Sequence, residues 1–261
     1  MTSLLVAAAA LFGLAIGSFL NVVIARVPAG ESVVRPASRC PSCGTPIAPR
    51  DNVPVLSWLL LRGRARCCGT RISTRYPIVE LGTALCLAGV AAWTGPSWRL
   101  PAFAYLAALS IALAVIDLDT LRLPFWLVAP SYPVAAALLG IASLAEHDRS
   151  SAVRALIGAA VLWCFYRLLH LVYPAGMGYG DVRLSGLLGL YLGWLGWDAL
   201  VVGAFLAFLV GGLGGVAVMA LRRGSLKSQI PYGPYMIVGC WLGILVGHPL
   251  AHWYLRTAGL A

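Results

Sequence analysis

The chain has 261 residues, 60% of them apolar and only 11% charged, against about a quarter charged in ordinary soluble domains. That balance excludes a disordered, collagen-like or disulfide-scaffold protein and places most of the chain in lipid. The formal net charge of +10 does not signal nucleic acid, because the basic residues crowd between hydrophobic runs and form no face on a folded domain.

The first apolar run, residues 4–25, has no basic stretch ahead of it and no convincing small-residue cleavage site behind it, so it reads as a retained span. Further runs fall at 77–94, 101–117, 124–145, 152–173, 182–195, 198–221 and 231–254. A bilayer crossing needs roughly 20 apolar residues, so the expectation is an all-α, polytopic membrane protein of about eight transmembrane helices. Residues 182–195 are short and interrupted by glycine, a pattern also found in broken or re-entrant segments. Gly211, Gly212, Gly214 and Gly215 in the seventh run suggest close helix packing.

Basic residues set the orientation. Arg26, Arg35, Arg39, Arg50, Arg62, Arg64, Arg66, Arg71 and Arg75 lie between the first two spans, and Arg222, Arg223 and Lys227 follow the seventh. Both stretches belong on the cytoplasmic side, where their charges meet anionic headgroups. Trp93, Trp98, Trp194, Trp197 and Trp253 fall at the opposite ends of the spans, where an outer aromatic belt is expected. The organisation expected is a first transmembrane helix at 1–25, a cytoplasmic Cys/Arg-rich loop domain at 26–76, a second transmembrane helix at 77–100 and a membrane core at 101–254.

The loop domain carries CPSC at 40–43 and RARCCG at 64–69. Disulfides are rare in the cytoplasm, so thiolate metal binding through Cys40, Cys43, Cys67 and Cys68, with zinc as the ion, is one reading. Side chains of neighbouring residues diverge, however, and Ala65 stands where a second CxxC would begin. A set of reduced loop thiols is the other reading. Cys86, Cys164 and Cys240 lie inside apolar runs and read as packing residues. Glu80, just inside the second span, is expected to pair with a loop arginine.

Acids are few in this chain, and two are placed tellingly. Asp117 closes the third span in AVIDLDTLRLP, and Asp181 opens the sixth in GMGYGDVRL. Two crossings separate them, so both belong at one membrane face. Carboxylates at such depth are costly and raise a functional hypothesis, although Asp181 also suits a helix N-cap. Gly176, Gly178 and Gly180 suit a tight backbone approach beside a reacting group. Two like charges about 4 Å apart repel by roughly 4 kcal/mol at an effective dielectric near 20, so a close pair shares one proton. One carboxylate can then polarise water while the other protonates a carbonyl. Asp181 sits at a helix N-terminus, which favours the anion, and Asp117 at a helix C-terminus, which favours the proton. Asp119 competes for the first position, but one helical residue turns a side chain by about 100°, so Asp117 and Asp119 cannot both face Asp181. His170, near the end of the fifth span, is a further candidate, with a local hydrogen bond as its plainer role.

These motifs resemble those of the type IV prepilin peptidases. GMGYGD at 176–181 is similar to their GxGD motif and IDLDTLRLP at 116–124 to their first aspartate box. The likeness extends through GSFLNVVIARVP near the N-terminus, CPSC, DNVPVLSWLLLRGR at 51–64, RISTRYPIVE at 71–80 and IPYGPY at 230–235. The resemblance implies an aspartyl endopeptidase of the bacterial inner membrane, with its active site facing the cytoplasm and its peptidase core at 101–254. It would remove the short basic leader of prepilins or pseudopilins, with Asp117 as first and Asp181 as second catalytic acid and Gly178 and Gly180 in the substrate-site loop. It also implies methylation of the new N-terminus from S-adenosylmethionine, with Glu80 a candidate beside that cofactor. The methyl transfer rests on resemblance alone, because no glycine-rich nucleotide fingerprint occurs. A peptidase without methyl transfer is the near alternative. An ion-coupled transporter is the distant one, and it would place its acids at mid-bilayer on symmetric broken helices.

Overall fold

A computed structural model describes residues 2–174, 176–221 and 231–259; Arg222, Arg223, Lys227 and Ile230 lie outside the described residues. The described chain is helical, with α1 (Thr2–Arg26), a 3-10 turn (Pro49–Asp51), α2 (Leu56–Leu60), α3 (Arg75–Thr94), α4 (Leu100–Thr120), α5 (Phe125–Ala145), α6 (Arg149–Val172), α7 (Tyr179–Leu195), α8 (Trp197–Leu221) and α9 (Gly233–Thr257). Seven of these helices are long and apolar enough to cross a membrane, so the protein is a multi-pass membrane protein.

The chain divides into two compact units, Met1–Ala112 and Leu113–Ala261. In the first, α1 and α3 run antiparallel at close range. A Cβ on Gly13 would stand 2.6 Å from Ala84 Cα, and one on Gly17 would stand 2.6 Å from Glu80 Cα. Apolar side chains gain little from each other in lipid, so helices there associate by close backbone packing of small residues. Between α1 and α3 the chain forms a small module whose only extended pairings are the bridges Arg39 to Pro46 and Arg64 to Arg71.

In the second unit α7 packs against α5, α6, α8 and α9. It is a continuous helix of 17 residues, about 25 Å long at 1.5 Å per residue, and is buried almost throughout from Asp181 to Trp194. The glycines that suggested a broken segment are seam residues instead. A Cβ on Gly189 would fall 2.5 Å from the Gly158 carbonyl oxygen of α6, and one on Gly193 would fall 2.5 Å from that of Arg154. The α8/α9 seam is built the same way, from Ala199, Gly203 and Ala207 against Gly247, Gly243 and Gly239. The closest approach on α8 thus lies nearer its start than the expected glycine cluster. Within that cluster Gly211 and Gly214 receive the rings of Tyr232 and Tyr235, while Gly212 faces open space.

Two other expectations are corrected. Trp194 is 3% exposed and its Nε1 donates to Ser143 Oγ at 2.8 Å, so it belongs to the core and not to an interfacial belt. Among the membrane cysteines only Cys240 is buried in protein; Cys86 and Cys164 are exposed, on helix surfaces that lipid covers.

Candidate active site

Asp117 and Asp181 both lie in the second unit, and both are buried, at 4% and 7% exposure. Asp117 sits in the last turns of α4, which ends where Leu121 adopts a left-handed φ of 53°. The helix continues through Thr120, so Asp119 turns to the exposed side while Asp117 points inward. Asp181 is the third residue of α7, behind the N-cap Gly178. The two carboxylates are close enough to interact electrostatically.

Each acid accepts one amide from a glycine at a helix start. Gly178 N–H donates to Asp181 Oδ2 at 3.1 Å, and Gly233 N–H, at the start of α9, donates to Asp117 Oδ2 at 3.0 Å. The first bond is the reaching-back half of a capping box, so the simple capping role foreseen for Asp181 is present along with its burial beside a second acid. The second was not foreseen. It gives Asp117 a helix N-terminus of its own, which weakens the argument that only Asp181 sits where the helix dipole favours an anion.

The motif glycines provide room, not unusual dihedrals. Gly178 has φ −69°, and a Cβ there would stand 3.3 Å from Asp181 Oδ2. At Gly180 a Cβ would stand 2.9 Å from Leu123 Cβ, and at Gly233 one would stand 2.8 Å from Asp117 Oδ2 and 3.4 Å from Leu123 Cδ1. Leu123 is therefore a wedge between the glycines that serve the two acids. His170 has the plainer role: its Nδ1 donates to the Met177 carbonyl at 2.8 Å, holding the loop ahead of Gly178.

A second constellation lies in the first unit. The segments 40–45 and 65–70 form the same turn twice. Cys40 N donates to Thr45 O at 2.9 Å and Gly44 N to Cys40 O at 2.9 Å, while Ala65 N donates to Thr70 O and Gly69 N to Ala65 O, both at 2.8 Å. Gly44 and Gly69 take the left-handed φ values of 72° and 69° that each turn requires. Ala65 therefore occupies the place of Cys40, and Cys67 supplies the missing sulfur. Cys43 and Cys67 Sγ are 3.3 Å apart, Cys40 and Cys68 Sγ 3.6 Å, and Cys67 and Cys68 Sγ 3.9 Å. The expected divergence of adjacent thiols is not seen, because a tight turn, unlike an extended strand, lets both point to one side. All four sulfurs lie within 4.8 Å of one another. Tetrahedral zinc with Zn–S bonds of about 2.3 Å separates its sulfurs by about 3.8 Å, so the donor set fits. The hydrogen bond with Thr45 draws the Cys43 thiol down to about 6, and Cys43 in turn pushes Cys67 up to about 12. One thiolate forms readily, and the other protons are ones a bound cation would displace.

Beside this turn is a cavity of roughly 490 Å³, lined by Trp58, Tyr76, Asp51, Arg66, Arg71 and Glu80 among others. Arg66 binds Asp51 through both Nε and Nη2, at 2.9–3.0 Å, which holds the Asp51 carboxyl below the usual range. Glu80 is 7% exposed and takes the Val55 amide at 2.7 Å, not an arginine. Val55 adopts φ 60°, ψ −51°, a conformation that costs a β-branched residue on the order of 1–3 kcal/mol. The loop thus bears strain at the residue that fixes the buried carboxylate.

These features define a multi-pass helical membrane protein with a buried acid pair in one unit and a thiol-lined module in the other. Residues 11–94 match the family described as bacterial peptidase A24 N-terminal domain, and residues 103–216 match the type IV leader peptidase family. A curated protein of Aeromonas hydrophila, named prepilin leader peptidase/N-methyltransferase, is 38% identical over 275 residues, covering 95% of this chain and 92% of its own length. One of the same name from Pseudomonas aeruginosa is 37% identical over 280 residues, covering 95% and 93%. No solved structure matches significantly. The chain belongs to the type IV leader peptidase family.

Proposed function

We propose that this protein is a prepilin leader peptidase of the bacterial inner membrane that cuts with Asp117 and Asp181 at the cytoplasmic face and methylates the N-terminus it creates. The observation that carries the reading is the pair of buried carboxylates, each held by one glycine amide in the same unit. Sharing one proton, the ionised member draws a proton from water as it attacks the scissile carbonyl, and the protonated member gives its proton to the carbonyl oxygen. Collapse of the tetrahedral species returns a proton to the leaving amine. An apolar substrate stem lying along the helices would deliver its polar junction to the acids and supply positioning before chemistry.

For the methyl transfer, the cavity of the first unit fits S-adenosylmethionine by chemistry: Trp58 and Tyr76 offer faces for adenine, and Asp51 and Glu80 offer carboxylates for hydroxyls or the sulfonium. That ligand supplies an electrophilic methyl group. Glu80, fixed by Val55, would orient the cationic end. Zinc held by Cys40, Cys43, Cys67 and Cys68 would stiffen the adjoining turn and take no part in either reaction.

The test is incubation of the purified full chain with a prepilin, with and without S-adenosylmethionine, and mass measurement of the product N-terminus. The expected result is a leaderless product, heavier by one methyl group only when the donor is present. Asp117→Asn and Asp181→Asn are each expected to abolish cleavage while the protein still inserts. Turnover near wild type by either variant refutes the pair.

A further inference from the structure

Two arginines converge on one aromatic ring beside the acid pair. Tyr179 opens α7 two residues ahead of Asp181. The Arg183 guanidinium lies 4.6 Å from the Tyr179 centroid and 4.8 Å from that of Phe125, and Arg167 of α6 lies 5.2 Å from the same Tyr179 ring. Cations are held over ring faces by the quadrupole, but two on one ring repel each other. The acids in the ion pairs seen, Asp51, Asp148 and Asp198, serve other partners. Among the described residues neither Arg167 nor Arg183 has a carboxylate. Both are half-buried, so each has given up part of its water without gaining a counter-charge.

We propose that Arg167 and Arg183, braced on Tyr179 and Phe125, form an anion site that receives an acidic side chain of the substrate close to the scissile bond. The placement follows from helix geometry. Two residues along α7 amount to about 3 Å of axial distance, and an extended peptide covers about 3.3–3.6 Å per residue, so an anion bound here lies within a few residues of a bond held at Asp181. The pair repels a basic leader, which puts the acid on the other side of the cut. A guanidinium offers two parallel N–H bonds to a carboxylate, and bracing on rings leaves that donor edge free. A lipid headgroup fits less well, because α7 is enclosed by α5, α6, α8 and α9 and is buried from its third residue onward.

This inference rests on the leader peptidase reading, and its test separates the two. The full chain in lipid nanodiscs, and its Arg183→Gln, Arg167→Gln and Arg183→Lys variants, are assayed on two forms of one prepilin: the natural one, and one whose acid nearest the cut on the mature side is replaced by Gln. On the natural substrate, Arg183→Gln is expected to lower kcat/KM roughly tenfold or more, mostly through KM, with Arg183→Lys intermediate. On the Gln substrate, wild type and Arg183→Gln are expected to be equally slow, which also reports that the variant is folded. Equal losses on both substrates, no loss on either, or a loss that vanishes when anionic lipid is replaced by neutral lipid would overturn the anion site while leaving the peptidase standing. Failure of wild type to cut either substrate removes both.

Discussion

Asp117 and Asp181 each take an amide from a glycine, and the two glycines were unequally visible in advance. Gly178 lies three residues from its acid and follows from the GxGD spacing. Gly233 lies 116 positions from Asp117, and within IPYGPY nothing local marks it as more than a turn residue. Leu123 was invisible for the same reason, since an apolar residue near a span end has no distinguishing chemistry. A Cβ on Gly233 would stand 2.8 Å from Asp117 Oδ2, so Gly233→Ala is expected to shift the carboxylate and slow cleavage about 100-fold, with the elution profile in detergent unchanged. Cleavage is also expected to follow a bell-shaped pH profile. At low pH both acids are protonated and no base remains; at high pH both are ionised and no acid remains. The two limbs belong to the pair, not to either residue. A rate that climbs steadily across the range would contradict shared-proton chemistry.

Helix existence was legible from hydropathy alone, because lipid demands long apolar runs and intrahelical hydrogen bonds. The ends of α4 and α7 also followed, from the LRLP turn and the glycine-rich approach to Asp181. Helix partners were not legible. The cluster at Gly211 to Gly215 looked like the packing surface of α8, yet the backbone seam with α9 runs through Ala199, Gly203 and Ala207, since small residues mark a possible contact but not its register. At the α6/α7 seam, Gly189→Val is expected to destabilise by about 1–3 kcal/mol, read as a lower unfolding midpoint in detergent. Gly140→Ala in α5, where a Cβ meets nothing within 4 Å, is the matched control and is expected to leave the midpoint unchanged.

Across the whole molecule, the two units carry different chemistry, and variants should separate them. Glu80→Gln is expected to abolish methylation of the product and leave cleavage intact, as read from product masses. Loss of both would tie Glu80 to folding of the first unit. Cys67→Ser removes the sulfur that stands in for the absent cysteine at position 65, and is expected to drop the bound zinc, by metal analysis, well below one ion per chain. Retention of full zinc would mean that three cysteines suffice.

The sequence by itself determined the membrane class, the number of apolar runs, the family likeness and the two acids on one face, because hydropathy and motif spacing are local and survive without a fold. Tertiary structure alone decided which backbone amides hold those acids, that Cys67 and Cys68 turn to the same point, and that α7 is enclosed. Each of these depends on the approach of residues far apart in the chain, and that approach is set by packing that no local pattern encodes.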